Sequence, residues 1–207
     1  MNDKEYKVIQ TGMLSVNTIL LKLGDVLYII DPGGDAEKII RAASNAGCRE
    51  TVILLTHAHF DHIGAIPELV ERLQVKNVYL HPADVELYDH PANCYLPFIP
   101  HPENLPETVW GLQDPQIEVR CTPGHTPGGV VYYVPAIKTV FSGDTLFCES
   151  IGRTDFPGGD LKTLLNSIRK ELFTLPDDTV IVAGHEGESS IGHEKKYNPF
   201  LTGLAGS

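Results

Sequence analysis

The stretch Thr56-His57-Ala58-His59-Phe60-Asp61-His62 decides how the rest of the chain is read. It follows the apolar run Val52-Ile53-Leu54-Leu55, whose length and β-branched content predict a buried strand ending at Thr56. Side chains alternate across an extended backbone, so His57 and His59, two residues apart, point to the same side. Asp61 and His62 follow where the chain turns into a helix. Four imidazole and carboxylate groups within six residues, in a chain holding 9 histidines, make a dense cluster of metal-ligand types. Imidazole with carboxylate suits Zn²⁺, Fe²⁺ or Mn²⁺, and no nearby cysteine offers the thiolates of a purely structural zinc knuckle.

Working outward, the N-terminal side predicts strands over 7–10, 17–22 and 26–30, with Gly24-Asp25 turning between the last two. Asp31-Pro32-Gly33-Gly34 breaks the chain. Asp35 stands where it can cap a helix whose apolar face is Ala36, Ile39, Ile40 and Ala43, and Gly47 stands where that helix would stop. On the C-terminal side one amphipathic helix is expected to start at Asp61 or His62 and to carry Ile63, Ile66, Leu69, Val70 and Leu73. Residues 83–114 hold Tyr88, Tyr95, Phe98 and Trp110 among the prolines 91, 97, 100, 102 and 106. This composition reads as a long loop with short helical pieces, either a lid or a surface loop pinned by its aromatics. Strands return over 117–121, 129–134 and 139–141. A helix starting near Asp160 presents Leu161, Leu164, Leu165, Ile168 and Leu172, and a last strand covers 179–183. Strands interrupted by helices at several points give an α/β (α+β) class, a four-layer αββα sandwich of two mixed sheets flanked by helices, expected as a single domain over 1–207.

Composition narrows the function classes. With 42% hydrophobic and 21% charged residues the chain is an ordinary globular one, and a formal charge of -11 leaves no basic surplus to grip nucleic acid or an anionic membrane. The charged N-terminus is no signal peptide, and no apolar run approaches the length that spans a bilayer. Cys48, Cys94, Cys121 and Cys148 form no C-x-x-C pair, and read as reduced, small buried or neutral residues of a cytoplasmic protein. The expected partner is a small molecule.

Three more polar points sit just past predicted strands, where α/β domains gather their chemistry. They are His125 in Pro123-Gly124-His125-Thr126-Pro127-Gly128, Asp144 in Ser142-Gly143-Asp144-Thr145, and His185 in Gly184-His185. Taken in order with the first run, this series resembles the metallo-β-lactamase superfamily, and within it the short glyoxalase-II-like (hydroxyacylglutathione hydrolase-like) branch. Asp31-Pro32-Gly33-Gly34, the run from Ser150 to Gly159, and Asn198-Pro199-Phe200-Leu201 are similar to that branch as well.

The resemblance implies a metal ion held by His57, His59 and His125 and a second held by Asp61, His62 and His185. Asp144 would bridge them, and Asp61 and Asp144 would be the catalytic carboxylates. Two divalent ions, zinc first with iron or manganese as alternatives, would activate a bridging hydroxide against the carbonyl of a thioester such as an S-(2-hydroxyacyl)glutathione. The departing thiolate, with a pKa of ~8.5, requires no dedicated acid. Asp31 is either a carboxylate that orients a ligand imidazole or a turn residue before Pro32. Arg153 either holds the loop after Asp144 or meets an acidic substrate. Lys195 and Asn198 either line a thiol-peptide site or belong to a solvated helix. Full-length type II glyoxalases add a helical domain after the metal domain, and the chain is expected to lack it, ending at Ser207.

Two competing readings share the motifs. A mononuclear iron persulfide dioxygenase would use His57, His125 and Asp144 alone. A metal-bound binding protein would keep the ligands without turnover. A β-lactamase is disfavoured by Asp144, where many of those enzymes bring Cys, a flavodiiron protein by His59, where Glu would stand, and a ribonuclease Z-like nuclease by the acidic balance.

Overall fold

The N-terminal strands form where the alternation places them and pair in sequence order. In the computed structural model, which describes residues 5–91, 93 and 101–202, the chain makes two compact units, Met1–Gly111 and Leu112–Ser207. The first contains β1 (Tyr6–Thr11), β2 (Val16–Leu23), β3 (Val26–Ile30), α1 (Ala36–Ser44), β4 (Glu50–Leu54), α2 (Phe60–Ile63), α3 (Ile66–Leu73), β5 (Val78–Tyr79) and α4 (Val85–Asp89). Its sheet runs β1-β2-β3-β4-β5, antiparallel as far as β3 and parallel beyond it, so it is mixed. Ile29 and Ile53 from the sheet, Leu55 just past β4, and Ile39, Ile66 and Leu69 from α1 and α3 are all fully buried in one core.

The parallel pairing of β3 with β4 positions the chemistry. Ile30 is level with Leu54, so Asp31 and Leu55-Thr56 leave the sheet side by side. Parallel strands release their C-terminal loops at one edge, where polar groups from separate stretches of sequence can meet.

Several expectations are corrected here. The helix expected from Asp61 to Leu73 is two helices, α2 and α3, broken at Gly64-Ala65. Pro67 has no N–H to give the Ile63 carbonyl, so the ladder cannot run through, whereas proline is well tolerated in the first turn of α3. Asp35 stands at the start of α1 without capping it. Its backbone is left-handed (φ 50°), and its side chain accepts from the Gly12 N–H at 3.1 Å. Of the cysteines, Cys121 and Cys148 are exposed and Cys48 is half-buried, so for these the buried alternative is not met and the neutral one remains, while Cys94 lies outside the described residues.

The proline-rich segment is held more firmly than a free loop. Val109 pairs with the edge of β5, its N–H donating to Val78 O at 2.9 Å and its carbonyl accepting from Leu80 at 3.0 Å. Tyr88 is buried and donates its hydroxyl to Pro106 O at 3.3 Å. Trp110 stays exposed against His81, and Tyr95 and Phe98 lie outside the described residues.

The second unit contains β6 (Glu118–Cys121), β7 (Val130–Val134), β8 (Thr139–Gly143), β9 (Leu146–Phe147), β10 (Ser150–Ile151), α5 (Leu161–Ser167), β11 (Val180–Ala183), β12 (Ser189–Ser190) and α6 (Ile191–Tyr197). Its sheet, β12-β11-β8-β7-β6, is again mixed, with only β11 and β8 parallel, and β9 and β10 make a separate hairpin. Asp160 caps α5 as expected, accepting from Thr163 N–H at 2.7 Å. The helix then loosens into a wider turn over Ile168–Leu172, where Phe173 N–H reaches back five residues to Ile168 O at 3.0 Å. Leu164, Ile168 and Leu172 pack with Val131, Val140, Ile181 and Ile191 in the core of this unit. No helix among the described residues is long and apolar enough to cross a membrane.

Candidate metal centre

In the first unit the ligand run leaves β4 through a segment pinned on both sides. Ala58, between His57 and His59, donates its N–H to Asp84 Oδ2 at 3.2 Å, and its carbonyl accepts from the Asn93 amide at 2.6 Å. Both partners are buried. With its backbone fixed this way, the run holds His57, His59 and His62, all buried, in a tight group. The ring centroids lie 4.8 Å (His57 to His59) and 4.1 Å (His57 to His62) apart. His62 N–H donates to His59 O at 2.9 Å, closing the turn into α2.

Asp31 reaches this group through Thr56 and His62. It adopts φ 52°, an uncommon left-handed conformation for a residue with a Cβ, and is almost fully buried. Its Oδ1 accepts the Thr56 N–H at 2.8 Å and its Oδ2 accepts the Thr56 hydroxyl at 2.6 Å. The Thr56 hydroxyl proton is thereby committed, so its oxygen accepts from His57 Nδ1, 3.1 Å away. His57 is therefore protonated on Nδ1 and carries its lone pair on Nε2, the form a metal requires. Asp31 Oδ2 also lies 3.1 Å from His62 Nδ1, and donor atoms of Asp31, His57 and His62 fall within 4.8 Å of one another. Asp31 thus orients two candidate ligand imidazoles, one of them through Thr56, for which the sequence suggested no role.

Asp61 Oδ2 lies 3.7 Å from His62 Nε2. A glycine at position 33 is obligatory for this arrangement: a Cβ there would sit 2.0 Å from the Asp61 carbonyl oxygen. Beside Asp61 opens a cavity of about 440 Å³ whose walls include Met13, Leu14, Phe60 and His101. Met13 and Leu14 are exposed apolar side chains.

In the second unit the parallel pairing of β8 with β11 aligns Gly143 with Ala183, and Gly184 N–H donates to Gly143 O at 2.8 Å. That register places Asp144 and His185 next to each other. Asp144 Oδ2 is 3.8 Å from His185 Nε2 and 3.6 Å from His125 Nε2. These separations are too long for direct hydrogen bonds and suit donors arranged around a cation. His125 is fixed by a different device: its Nδ1 lies 2.7 Å from the Arg153 carbonyl. A carbonyl only accepts, so Nδ1 carries the proton and Nε2 faces Asp144 with its lone pair. Gly152 permits the loop to approach, since a Cβ there would lie 1.8 Å from the Asp144 carbonyl oxygen and 3.1 Å from His125 Nδ1.

Arg153 therefore contributes through its backbone. Its guanidinium forms a two-pronged pair with Asp155 at 2.8 and 2.7 Å and lies 3.7 Å from the centre of the Phe156 ring. The guanidinium holds the Asp155 carboxyl down to about 2, well below the usual carboxylate range. Lys195 is paired with Asp177 at 2.6 Å. Asn198 is completely buried, donating to Ser150 O and Glu194 Oε2 and accepting from Phe200 N–H, which is the work of a side chain that ties α6 to its surroundings.

Each unit thus presents at least one imidazole held in metal-competent form beside carboxylates, His57 in the first and His125 in the second, and this donor set fits a divalent metal ion. Asp84 and Asn93, which hold the backbone of the ligand run, lie in the proline-rich segment, and nothing in the sequence around them marks that role.

Comparison with known proteins agrees with this chemistry. The profile described as the metallo-beta-lactamase superfamily matches residues 11–185. The chain is similar to the hydroxyacylglutathione hydrolase GloC of Haemophilus influenzae, 39% identical over 182 residues, covering 84% of this chain and 86% of that protein. Among solved structures it is similar to TTHA1623 in a di-iron-bound form, at 40% identity and a TM-score of 0.84, covering 94% of this chain and all of the other. It is also similar to the BLEG-1 B3 metallo-beta-lactamase, at 38% identity and a TM-score of 0.86, covering 95% and 99% of the two chains.

Proposed function

The chain belongs to the metallo-beta-lactamase superfamily, and we propose that it is a dinuclear metal-dependent thioesterase acting on S-(2-hydroxyacyl)glutathione or a similar thiol ester. In this reading His57, His59 and His125 serve one ion, Asp61, His62 and His185 the other, and Asp144 both. The observation that carries it is the fixed tautomer of His57 and of His125, each donating from Nδ1 to an oxygen and presenting Nε2 as a ligand. The thioester class is supported by the likeness to the hydroxyacylglutathione hydrolase, and a two-metal site by the likeness to the di-iron protein.

When bound, two divalent ions, zinc first, would supply activated water near neutral pH and charge to offset the developing acyl oxyanion. The protein's own contributions are positional. Asp31 and Thr56 hold the His57 ring, and the Arg153 carbonyl holds His125, so neither ligand reorganises during turnover. The cavity beside Asp61 offers Met13, Leu14 and Phe60 to an acyl or thiol chain. The leaving thiolate departs without a proton donor, at a pKa of ~8.5.

The test is elemental analysis of the purified protein paired with S-lactoylglutathione hydrolysis. Two divalent ions per chain, with hydrolysis abolished by His59→Ala or Asp144→Asn, is the expected result. A single iron with oxygen uptake on glutathione persulfide overturns the reading. So does faster turnover of a β-lactam than of any thioester.

A further inference from the structure

Away from the ligands discussed so far, the second unit gathers another set of metal-competent side chains. β9 and β10 are joined by the two-residue turn Cys148-Glu149, in which Glu149 takes a left-handed φ of 54°. The turn lies against the start of α6. There Cys148 Sγ, a ring nitrogen of His193 and a carboxylate oxygen of Glu194 lie within 4.8 Å of one another. Cys148 is exposed, His193 half-buried and Glu194 fully buried, so the group runs from the surface inward. It borders a cavity of about 290 Å³ lined by Cys148, Ser189 and His193 among others.

Two independent features point to a cation. The first is the hydrogen bonding of the buried Glu194. Its Oε2 accepts the Glu149 N–H at 2.9 Å and the Asn198 amide at 2.8 Å, and its Oε1 accepts the Ser189 hydroxyl. All three donors are neutral, and no Lys or Arg forms an ion pair with Glu194 among the described residues. A fully buried carboxylate ordinarily has a cation beside it, because desolvating an unmatched charge is costly. Three of its roughly four acceptor positions are used, which leaves one for a ligand bond.

The second feature is the orientation of His193. Its Nε2 lies 3.0 Å from Glu149 Oε1. A carboxylate only accepts, so the neutral ring is protonated on Nε2 and holds its lone pair on Nδ1. A carboxylate partner on one ring nitrogen is a common support for a metal-binding histidine.

We propose that Cys148, His193 and Glu194 form a second kind of metal site, taking one thiophilic divalent cation, zinc by its donor set, with a fourth position open to water. A thiolate with an imidazole and a carboxylate suits zinc and excludes magnesium and calcium, which prefer oxygen alone. Binding breaks the Cys148 S–H bond and forms an S–metal bond, with the proton released to solvent, so affinity rises with pH. Occupancy would tie the β9–β10 turn to α6.

The ligands assigned to the hydrolytic centre contain no sulfur, so a thiolate signature is independent of that centre, whatever the outcome for the proposed hydrolysis, and cysteine variants assign it to this cluster. The purified full chain is titrated with Co²⁺, and the near-ultraviolet thiolate-to-cobalt charge-transfer band is followed, then displaced with Zn²⁺. The expected result is a band saturating at one equivalent, retained in Cys48→Ser, Cys94→Ser and Cys121→Ser and lost in Cys148→Ser. His193→Ala should raise the cobalt concentration required at least ~10-fold. Absence of the band in the unsubstituted protein at saturating cobalt overturns the proposal, as does a band that survives Cys148→Ser.

Discussion

Replacing Thr56 with valine removes one oxygen and keeps the shape of the side chain, which makes it a clean probe of how the proposed ligand His57 is held. The Thr56 hydroxyl donates to Asp31 Oδ2 at 2.6 Å and accepts from His57 Nδ1 at 3.1 Å, while the backbone N–H of residue 56 keeps its bond to Asp31 Oδ1. Thr56→Val therefore leaves Asp31 anchored and the strand intact, but takes away the acceptor of His57 Nδ1–H in a fully buried setting. Leaving a buried donor without its acceptor costs about 1–3 kcal/mol, which for a chain of this size lowers Tm by about 2–4 °C per kcal/mol. Losing a group that orients a metal-bound histidine weakens metal affinity about 10–100-fold. The assay is chelator competition on the metal-loaded protein, with thermal melting of the metal-free form alongside. Thr56→Ser, which restores the hydroxyl, should recover most of both losses. If Thr56→Val binds metal as tightly as the unsubstituted protein and melts at the same temperature, the Asp31–Thr56–His57 chain has no orienting role.

Other outcomes follow from the same geometry. Gly152→Ala drives a Cβ to 1.8 Å from the Asp144 carbonyl and 3.1 Å from His125 Nδ1, so metal binding should fall sharply even where circular dichroism shows a folded chain. Asn198→Ala removes a fully buried amide that makes three hydrogen bonds and should cost about 1–3 kcal/mol in denaturant unfolding. Lys195→Ala opens a partly exposed pair with Asp177 and should cost no more than ~1 kcal/mol. The Asp155 carboxyl, held down to about 2 by Arg153, should titrate near that value by carbon-13 NMR and return toward the ordinary carboxylate range in Arg153→Gln. Because this pKa is lowered on folding, the pair's contribution to stability is complete above the unfolded carboxylate value and is lost as pH falls toward 2.

The pattern of strands and helices carried the fold class, and the resemblance of the histidine and aspartate series to a known family carried the ligand candidates, because both depend on short-range order. A buried strand followed by H-x-H-x-D-H leaves its ligands together whatever lies further along the chain, and glycine–proline loops after strands mark sharp exits of the chain. Helix limits were less legible. Whether Pro67 interrupts a helix or sits in the first turn of a new one depends on where Gly64 packs, and its backbone is pressed against Gly33, where a Cβ at 64 would lie 2.5 Å from the Gly33 carbonyl oxygen.

The residues around the ligands were not legible, for a physical reason. Asp84, Asn93, Thr56 and the Arg153 carbonyl act through hydrogen bonds whose partners lie up to 35 residues away in sequence. A single polar residue in a loop gives no periodic signal, and a backbone carbonyl gives none at all. Lys195 and Asn198 illustrate the converse: the sequence offered them as polar groups at a chain end, and only the fold shows Lys195 paired with Asp177 and Asn198 buried with three hydrogen bonds. The sequence alone determined which side chains have metal chemistry and that they stand at strand ends. Strand register and loop packing decided which nitrogen of His57 and of His125 carries the proton, and hence which one faces a metal, because a tautomer is set by the acceptor that folding brings to the other nitrogen.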